Sequence, residues 1–250
     1  MLKYTVESDI GLKRAINEDR AAFFKRPDGL ALALVADGMG GHNAGDVASD
    51  MAMKQIESVF LQAEAHHFAS TTSKKEWLLQ AVKQLNKNIY DYSLSHEDCK
   101  GMGTTFIAVL IEDNHCFISH VGDSRVYYFF DDGAQQITRD HSYVNVLVEN
   151  GEISEEEALT HPKKNFILKA VGTEETIEPD FYEVDLASES YLLICSDGLS
   201  NKLTVYEMAS IITYPDSIEE KGRKLVELAN ASGGEDNISL VLLTRQDEEV

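Results

Sequence analysis

Apolar residues recur along the chain at two different spacings, which divide it into predicted strands and predicted helices. Apolar runs bounded by turn residues predict strands at residues 2–10, 20–36, 104–112, 115–123, 124–133, 180–186, 191–196 and 237–245. Apolar positions at helical spacing predict helices at residues 45–64, 74–95, 204–213 and 217–231. A Pro27-Asp28-Gly29 turn divides the run at 20–36 into a hairpin. Hairpin-like strands with helices in consecutive pairs favour an α+β fold, in which helices cover antiparallel sheets, over repeating β-α-β units.

Residues 141–172 break this pattern. They contain two short helical pieces, YVNVLVENG and SEEEALTH, joined by polar connections. We predict that this segment is a flap-like excursion from the sheets. The chain shows no internal repeat, low-complexity tract or flexible linker, so residues 1–250 are predicted to form a single domain.

The charge balance narrows the classes of partner. There are 43 acidic residues against 22 basic ones, a net charge of −21. This excess argues against nucleic acid and against anionic membranes, since both are bound by surplus Lys and Arg. It is compatible with divalent cations, although acidic residues also simply keep proteins soluble.

Cysteine usage and hydropathy indicate the compartment. The three cysteines, Cys99, Cys116 and Cys195, are widely spaced and form no CxxC, so neither a disulfide framework nor a zinc site is predicted. No stretch approaches the 18 consecutive apolar residues of a membrane span, and the first residues lack a signal-peptide apolar run. We therefore expect a soluble cytoplasmic protein.

Four aspartates stand at the ends of predicted strands. Asp-Gly occurs four times, and the pairs at 28–29 and 132–133 are explained as hairpin turns. Asp37-Gly38 and Asp197-Gly198 differ, because each follows a buried-looking strand and precedes a helix. Asp123 in SHVGDSRV and Asp236 in GGEDNIS occupy similar places. Each acid taken alone is weak evidence for a metal ligand, because an aspartate at a strand end is usually a cap or a turn.

If these acids met at one sheet edge, they would need counter-charge. Two carboxylates ~4 Å apart repel by roughly 4 kcal/mol at an effective dielectric of ~20. Oxygen ligands from Asp, a backbone carbonyl and water suit Mg²⁺ or Mn²⁺, which would relieve that repulsion. The glycines at 38, 40 and 41 would let the chain pass close to such ions.

A set of motifs in fixed order identifies a family resemblance. The motifs are RAINED, VADGMGGHNAGDVAS, GMGTT, HVGDSRVY, SDGLS and GGEDNIS. In this order the chain resembles the bacterial metal-dependent serine/threonine protein phosphatases of the PPM family, from about residue 3 to residue 244. The resemblance implies a four-layer α-β-β-α sandwich of two packed antiparallel sheets flanked by helices, which agrees with the α+β prediction.

The resemblance also implies a role for each matching residue. Asp37 would bridge two metal ions, and Gly38 would offer its carbonyl to one of them. Asp197 and Asp236 would ligate the other ion. The remaining matches are the water-holding acids Glu18 and Asp19, the phosphate-binding Arg14, and Asp123 as ligand, with Asp197, of a third and weaker ion.

The implied activity is hydrolysis of phosphoserine and phosphothreonine on proteins. A water activated by two Mn²⁺ or Mg²⁺ ions would attack phosphorus directly, without a phosphoenzyme. The resemblance further implies a bacterial serine/threonine kinase whose phosphorylation the enzyme reverses, and we expect a monomer.

Several residues in these motifs are predicted not to be catalytic. Relatives in eukaryotes carry an acid histidine directly after Asp-Gly, where this chain has Met39, so His42 is interpreted as a loop residue. Thr104 and Thr105 are interpreted as packed strand residues and Cys195 as a core residue. Asn237 is expected to orient Asp236. The role of His141 stays open.

Two other function classes remain as alternatives. A PPM-like domain without turnover would bind phosphoproteins or metal, but such a domain is expected to lack metal acids that are present here. A metal-buffering acidic protein would leave Arg14 unexplained. Cysteine phosphatase, phosphoaspartate, Walker and GxGxxG signatures are absent from the sequence.

Overall fold

The structure, a computed structural model, describes residues 1–40, 44–131 and 133–246. His42 and Asp132, each interpreted above, lie outside the described residues. The strands are β1 (Leu2–Asp9), β2 (Asp19–Lys25), β3 (Ala31–Met39), β4 (Gly103–Thr104), β5 (Phe106–Glu112), β6 (His115–Val121), β7 (Arg125–Phe130), β8 (Gly133–Gln136), β9 (Asp180–Asp185), β10 (Tyr191–Cys195) and β11 (Ile238–Arg245). The helices are α1 (Ala44–Gln62), α2 (Thr71–Ser95), α3 (Tyr143–Glu149), α4 (Glu155–Thr160), α5 (Asp197–Ser200), α6 (Val205–Ile212) and α7 (Ile218–Ala231). Two 3₁₀ turns, Ala65–Phe68 and Glu97–Cys99, flank α2.

The strands form two antiparallel sheets. One runs in the order β1-β11-β10-β7-β8, and the other runs β2-β3-β5-β6-β9 with β4 paired to β3. Every named strand pair is antiparallel. The predicted α+β fold and its α-β-β-α layering are confirmed.

Alternating strand residues explain the layers. In β3, Ala31, Ala33 and Val35 pack between the two sheets, whereas Leu32 and Leu34 face α1 and α2 on the outer side. The central strands are therefore buried on both faces and read as continuous apolar runs. A separate apolar cluster packs α6 and α7 against the outer face of the other sheet.

Three elements differ from the sequence prediction. Strand β3 continues through Asp37-Gly38 to Met39, because Gly38 and Met39 pair with β4. Strand β8 is short and polar, and it pairs only with β7, so it carries no apolar pattern. Helix α5 has four residues, too few for a helical period to be recognised.

The segment 141–172 contains α3 and α4, as predicted, and both of its ends bond to the sheet region. The His141 N–H donates to Gly122 O (2.8 Å) at one end. At the other end Thr104 and Val171 exchange backbone hydrogen bonds of 3.0 and 2.8 Å. The interpretation of this segment as a flap and the single-domain organisation stay predictions. In the part of the chain that the structure describes, the helices are each too short or too polar to cross a bilayer.

Candidate metal centre

Two of the predicted acids face each other on neighbouring strands. Asp19 opens β2 and stands directly opposite Asp37 in the β2–β3 register. The side chain of Asp19 is almost fully buried and accepts a 2.6 Å hydrogen bond from the Ser196 hydroxyl. Burial, and then the charges of Asp197 and Asp236, raise the pKa of Asp19 to about 7. The sheet that contains β2 and β3 thus contributes one buried and one half-buried carboxyl to one edge.

The sheet that contains β10 and β11 contributes two more acids to the same place. Asp197 begins α5 immediately after β10, and Asp236 lies just before β11, the neighbour of β10. Asp37 and Asp197 lie close enough for each to affect the pKa of the other, and the charge of Asp236 raises the pKa of both. The structure therefore brings Asp37, Asp197 and Asp236 together although they are far apart in sequence.

The close packing of these carboxyls raises the pKa of Asp37 and the pKa of Asp197. Burial is the main cause that raises the pKa of Asp37 well above its ordinary value, followed by the charges of its acidic neighbours. Burial and the charge of Asp236 raise the pKa of Asp197 to about 6. In the metal-free protein, protons bound to these carboxyls reduce the repulsion between them. A bound cation would reduce the same repulsion in place of the protons.

Asp123 supplies the observation that best tests whether the cluster fits a cation. The residue is 7% exposed, and its Oδ1 has no hydrogen-bond partner among the described residues. Burial, then the charges of Asp197 and Asp140, raise its pKa to about 8. A buried carboxylate oxygen without a donor, next to other carboxylates, is the donor set that hard divalent cations prefer. The residues present therefore fit a metal centre.

Arg14 lies at the open side of the cluster. Its Nη2 donates to Asp236 Oδ2 at 2.8 Å, and its side chain is 47% exposed. A guanidinium at this position has free donors facing solvent, and those donors can receive a phosphate. Sequence motif and geometry agree on placing Arg14 beside the acids.

Asn237 has a different set of partners from the one expected. Its side-chain amide donates to Ile10 O (2.9 Å) and Ile16 O (3.0 Å), and its carbonyl accepts from Glu18 N (2.8 Å). The bond with Asp236 runs from the Asn237 backbone N–H to Asp236 Oδ1 at 2.9 Å. The side chain therefore holds the loop that carries Arg14, and only the backbone orients Asp236.

Glu18 lies next to the cluster rather than inside it. Gly38 N donates to Glu18 O at 3.2 Å, and a Cβ at Gly45 would lie 2.5 Å from Glu18 Oε1. A Cβ at Gly38 would lie 2.1 Å from Gly45 O, so both glycines are required by close approach of the chain. Burial raises the pKa of Glu18, while Arg14 opposes the rise and Asp46 adds to it. Asp46, which sequence reasoning did not select, also has a buried Oδ1 without a partner among the described residues.

The threonines of GMGTT hold the backbone of Asp37. Thr105 Oγ1 accepts from Asp37 N (3.0 Å), and Thr104 Oγ1 donates to Asp37 O (2.9 Å). Both threonines are fully buried, as expected of packed strand residues. Their hydroxyls nevertheless fix the position of the predicted bridging ligand.

Sequence reasoning missed one ion pair beside the cluster. Arg125 binds Asp140 through both Nε and Nη2, with distances of 2.7 to 3.1 Å. The charge of Arg125 lowers the pKa of Asp123 and so opposes the effect of burial. The only signal was an arginine two residues after Asp123, in an alternating strand that gave no indication of its partner.

Cysteine chemistry is disfavoured at this site. Cys195 is fully buried, and burial raises the pKa of its thiol to about 12. A thiol with this pKa is not a nucleophile at neutral pH. The interpretation of Cys195 as a core residue is confirmed by its packing in the cluster beneath α6 and α7.

Fold and site together define a class of protein: an α-β-β-α sandwich that concentrates carboxylates from both sheets at one edge, with an arginine beside them. The chain belongs to the protein phosphatase 2C family, whose sequence pattern matches residues 13–236. The family resemblance inferred from the motifs is thereby confirmed.

Relatives match along nearly the full length. The serine/threonine phosphatase stp of Listeria innocua is 40% identical over 238 residues, covering 95% of this chain and 94% of that protein. The protein phosphatase PhpP of Streptococcus pneumoniae is 35% identical and covers 99% of both chains.

Solved structures share the fold. The S. agalactiae serine/threonine phosphatase superposes with a TM-score of 0.93 at 36% identity, covering 98% of this chain and 100% of that one. The catalytic domain of the serine/threonine protein phosphatase PstP, solved in complex with 2 manganese ions, superposes with a TM-score of 0.85 at 34% identity. It covers 98% of this chain and 99% of that chain.

Proposed function

We propose that this chain is a metal-dependent protein serine/threonine phosphatase that hydrolyses phosphoserine and phosphothreonine on proteins. The observation that carries the proposal is the meeting of Asp37, Asp197 and Asp236 at one edge, where the charges of the other two raise the pKa of Asp37. Family membership supports the same reaction.

Two divalent cations, Mn²⁺ or Mg²⁺, are the proposed cofactors. One ion would be held by Asp37 and the Gly38 carbonyl, and the other by Asp37, Asp197 and Asp236. A third ion would be held by Asp123 and Asp197. Glu18 and Asp19 would hold water around them. When bound, such a pair supplies an activated water and offsets the charge of the phosphoryl oxygens. The PstP structure in complex with 2 manganese ions, a similar fold, supports the pair of ions.

The residues of the chain position the phosphate and stabilise its charge. The Arg14 guanidinium can form two parallel hydrogen bonds to phosphate oxygens, because its fork matches their spacing. Asn237 keeps the Arg14 loop in register with Asp236. In-line attack by water then releases the serine or threonine alkoxide, and no side chain becomes phosphorylated.

Several finer statements belong to the same proposal. Phosphorylated proteins are the substrates, and a serine/threonine kinase would supply them. We propose that the enzyme acts as a monomer in the cytoplasm, with residues 1–250 as one catalytic domain. Sedimentation should give one protomer, and denaturation followed by two probes should give one coincident transition.

The activity test uses a phosphothreonine peptide. Phosphate release should require added Mn²⁺, stop with EDTA and fall by at least about 100-fold in Asp197→Asn, since even residues behind the ligands contribute 10- to 100-fold. The matched control is Asp28→Asn, an aspartate of a hairpin turn far from the cluster. Activity that survives EDTA, or full activity in Asp197→Asn, would refute the mechanism. Metal binding without any turnover would favour the binding-domain alternative.

A further inference from the structure

His141 makes a pair of contacts to one residue of the candidate site. Its backbone N–H donates to Gly122 O (2.8 Å), and its Nδ1 accepts from Gly122 N (3.0 Å). Gly122 O belongs to the peptide that joins Gly122 to Asp123. His141 therefore fixes both peptide planes around Gly122, directly before a proposed metal ligand.

We propose that His141 is a positioning residue, an inference that rests on the proposed function. Its Nε2–H tautomer, which Asp180 sets, fixes the Gly122 peptides and thereby directs the Asp123 carboxyl towards the metal centre. The residue does not touch the reacting atoms. Its effect reaches them through two backbone hydrogen bonds.

The tautomer follows from the partners of the two ring nitrogens. A backbone N–H can only donate, so Nδ1 must carry a lone pair and the proton of the neutral ring must sit on Nε2. Nε2 lies 3.2 Å from Asp180 Oδ2, which accepts that proton in a hydrogen bond. Burial lowers the pKa of His141, in keeping with a neutral ring. Lys169, 3.5 Å from Asp180 Oδ1, helps to hold the carboxylate in place.

Gly122 needs this support because its own conformation is permissive. Its φ of 110° is one that glycine adopts readily, and without fixed partners the chain could leave it. A Cβ at this position would lie 2.6 Å from the Thr105 side chain, so no other residue can stiffen the turn. The hydrogen bonds of His141 do so instead.

The same geometry argues against a separate metal site at this cluster. His120, His141 and Asp180 offer ligand atoms within 4.8 Å of one another. The buried Nδ1 of His120 has no partner among the described residues, but its Nε2 donates to Ser124 O (3.0 Å). His141 cannot ligate through Nε2 while its Nδ1 accepts from Gly122. We therefore assign the cluster to positioning.

Two substitutions separate the two nitrogens of the ring. His141→Asn keeps an acceptor oxygen at the δ position and loses the contact to Asp180. His141→Gln places its amide at the ε position and loses the δ acceptor. If His141 acts through Gly122, calorimetry should show the weakest Mn²⁺ site weakened about 10-fold in His141→Gln and much less in His141→Asn. His115→Gln, an exposed histidine of the sheet edge, is the control.

A double-mutant cycle tests the route through Asp123. In an Asp123→Asn background, His141→Gln should have no further effect on Mn²⁺ binding, because the ligand it aims is gone. Nitrogen NMR of the wild type should show His141 protonated at Nε2 only. Equal Mn²⁺ isotherms for wild type and His141→Gln, additive effects in the cycle, or Nδ1 protonation would overturn the proposal. If the proposed function itself failed, the wild type would instead bind no Mn²⁺ and release no phosphate.

Discussion

Asp37 lies among four other aspartates whose charges act on its carboxyl. It faces Asp19 across a strand pair, and the charges of Asp19, Asp197, Asp123 and Asp236 add to the effect of burial on its pKa. The cost of this arrangement falls when a bound cation offsets these charges. Crowded carboxylates destabilise the ligand-free protein, and a bound ligand offsets that unfavourable free energy. Such a cluster therefore marks a candidate binding site.

Arg14 gives the most direct prediction at the residue scale. Arg14→Lys keeps the charge but replaces the planar fork with a point charge, so bidentate phosphate binding is lost. We expect KM for a phosphothreonine peptide to rise about 10-fold, the loss of roughly one charge-assisted hydrogen bond, with a smaller effect on kcat. Steady-state kinetics at saturating Mn²⁺ measure both. Lys13→Met, which removes a neighbouring exposed charge, should change little, and an unchanged KM in Arg14→Lys would contradict the role.

Single residues also show how far sequence reasoning reaches. The acids at strand ends could be selected because a buried-looking strand leads into each of them. Ser196 and Arg125 could not, since their partners, Asp19 and Asp140, lie at positions that only the folded chain reveals. His141 stood out in sequence, but its tautomer depends on a backbone N–H at Gly122.

At the scale of elements, the junction of β3, β4 and β5 holds Asp37, the predicted bridging ligand. Asp37 lies within β3, and the hydroxyls of Thr104 and Thr105 satisfy its backbone groups. Long apolar strands and amphipathic helices were predictable because their periods repeat over many residues. Strand β4 was not predictable, because a two-residue strand has no period and forms only through the chain beyond Asp37.

Thr105 tests whether this edge positions the metal ligand. Thr105→Val removes the acceptor of the Asp37 N–H, which should destabilise the fold by about 1–3 kcal/mol and raise the Mn²⁺ concentration needed for half-maximal activity. Thr138→Val is a matched control, because Thr138 Oγ1 accepts from Val126 N (2.9 Å) and not from the backbone of a proposed metal ligand. Denaturant unfolding and Mn²⁺ titration measure the two effects. Equal Mn²⁺ requirements in both variants would contradict a positioning role for Thr105.

At the scale of the whole molecule, the buried acids couple stability to pH. Asp19, Asp123 and Asp197 have folded-state pKa values of about 7, 8 and 6, above the ordinary 3.8. The folded metal-free protein thus holds protons that the unfolded chain has released. The contribution of these three acids to stability is fully present below the ordinary value and is lost as pH rises from about 4 to about 8.

Urea denaturation in EDTA across this pH range measures the effect. The free energy of unfolding should decline towards the alkaline end, and added Mn²⁺ should raise Tm more at neutral pH than in acid, since the ion must displace protons. In Asp197→Asn the decline should be shallower. A metal-free protein that grew more stable from acid to neutral pH would contradict the protonation described here.

Net charge sets an expectation for substrates. A protein of charge −21 attracts basic peptides over distances near the Debye length, so phosphopeptides with Lys or Arg beside the phosphate should have a higher kcat/KM than acidic ones. The preference should shrink as salt is added. Paired peptides differing only in their flanks measure it, and equal kcat/KM for both at low salt would exclude the effect.

The central claim is that carboxylates from both sheets form one cradle for paired cations. Anomalous diffraction from a crystal grown with Mn²⁺ tests it most directly. We expect two strong peaks about 3.5–4 Å apart, both within bonding distance of Asp37, with Asp197 and Asp236 on one of them. Mn²⁺ peaks that lie only at other positions, or no peak at these aspartates at saturating metal, would contradict a shared metal centre.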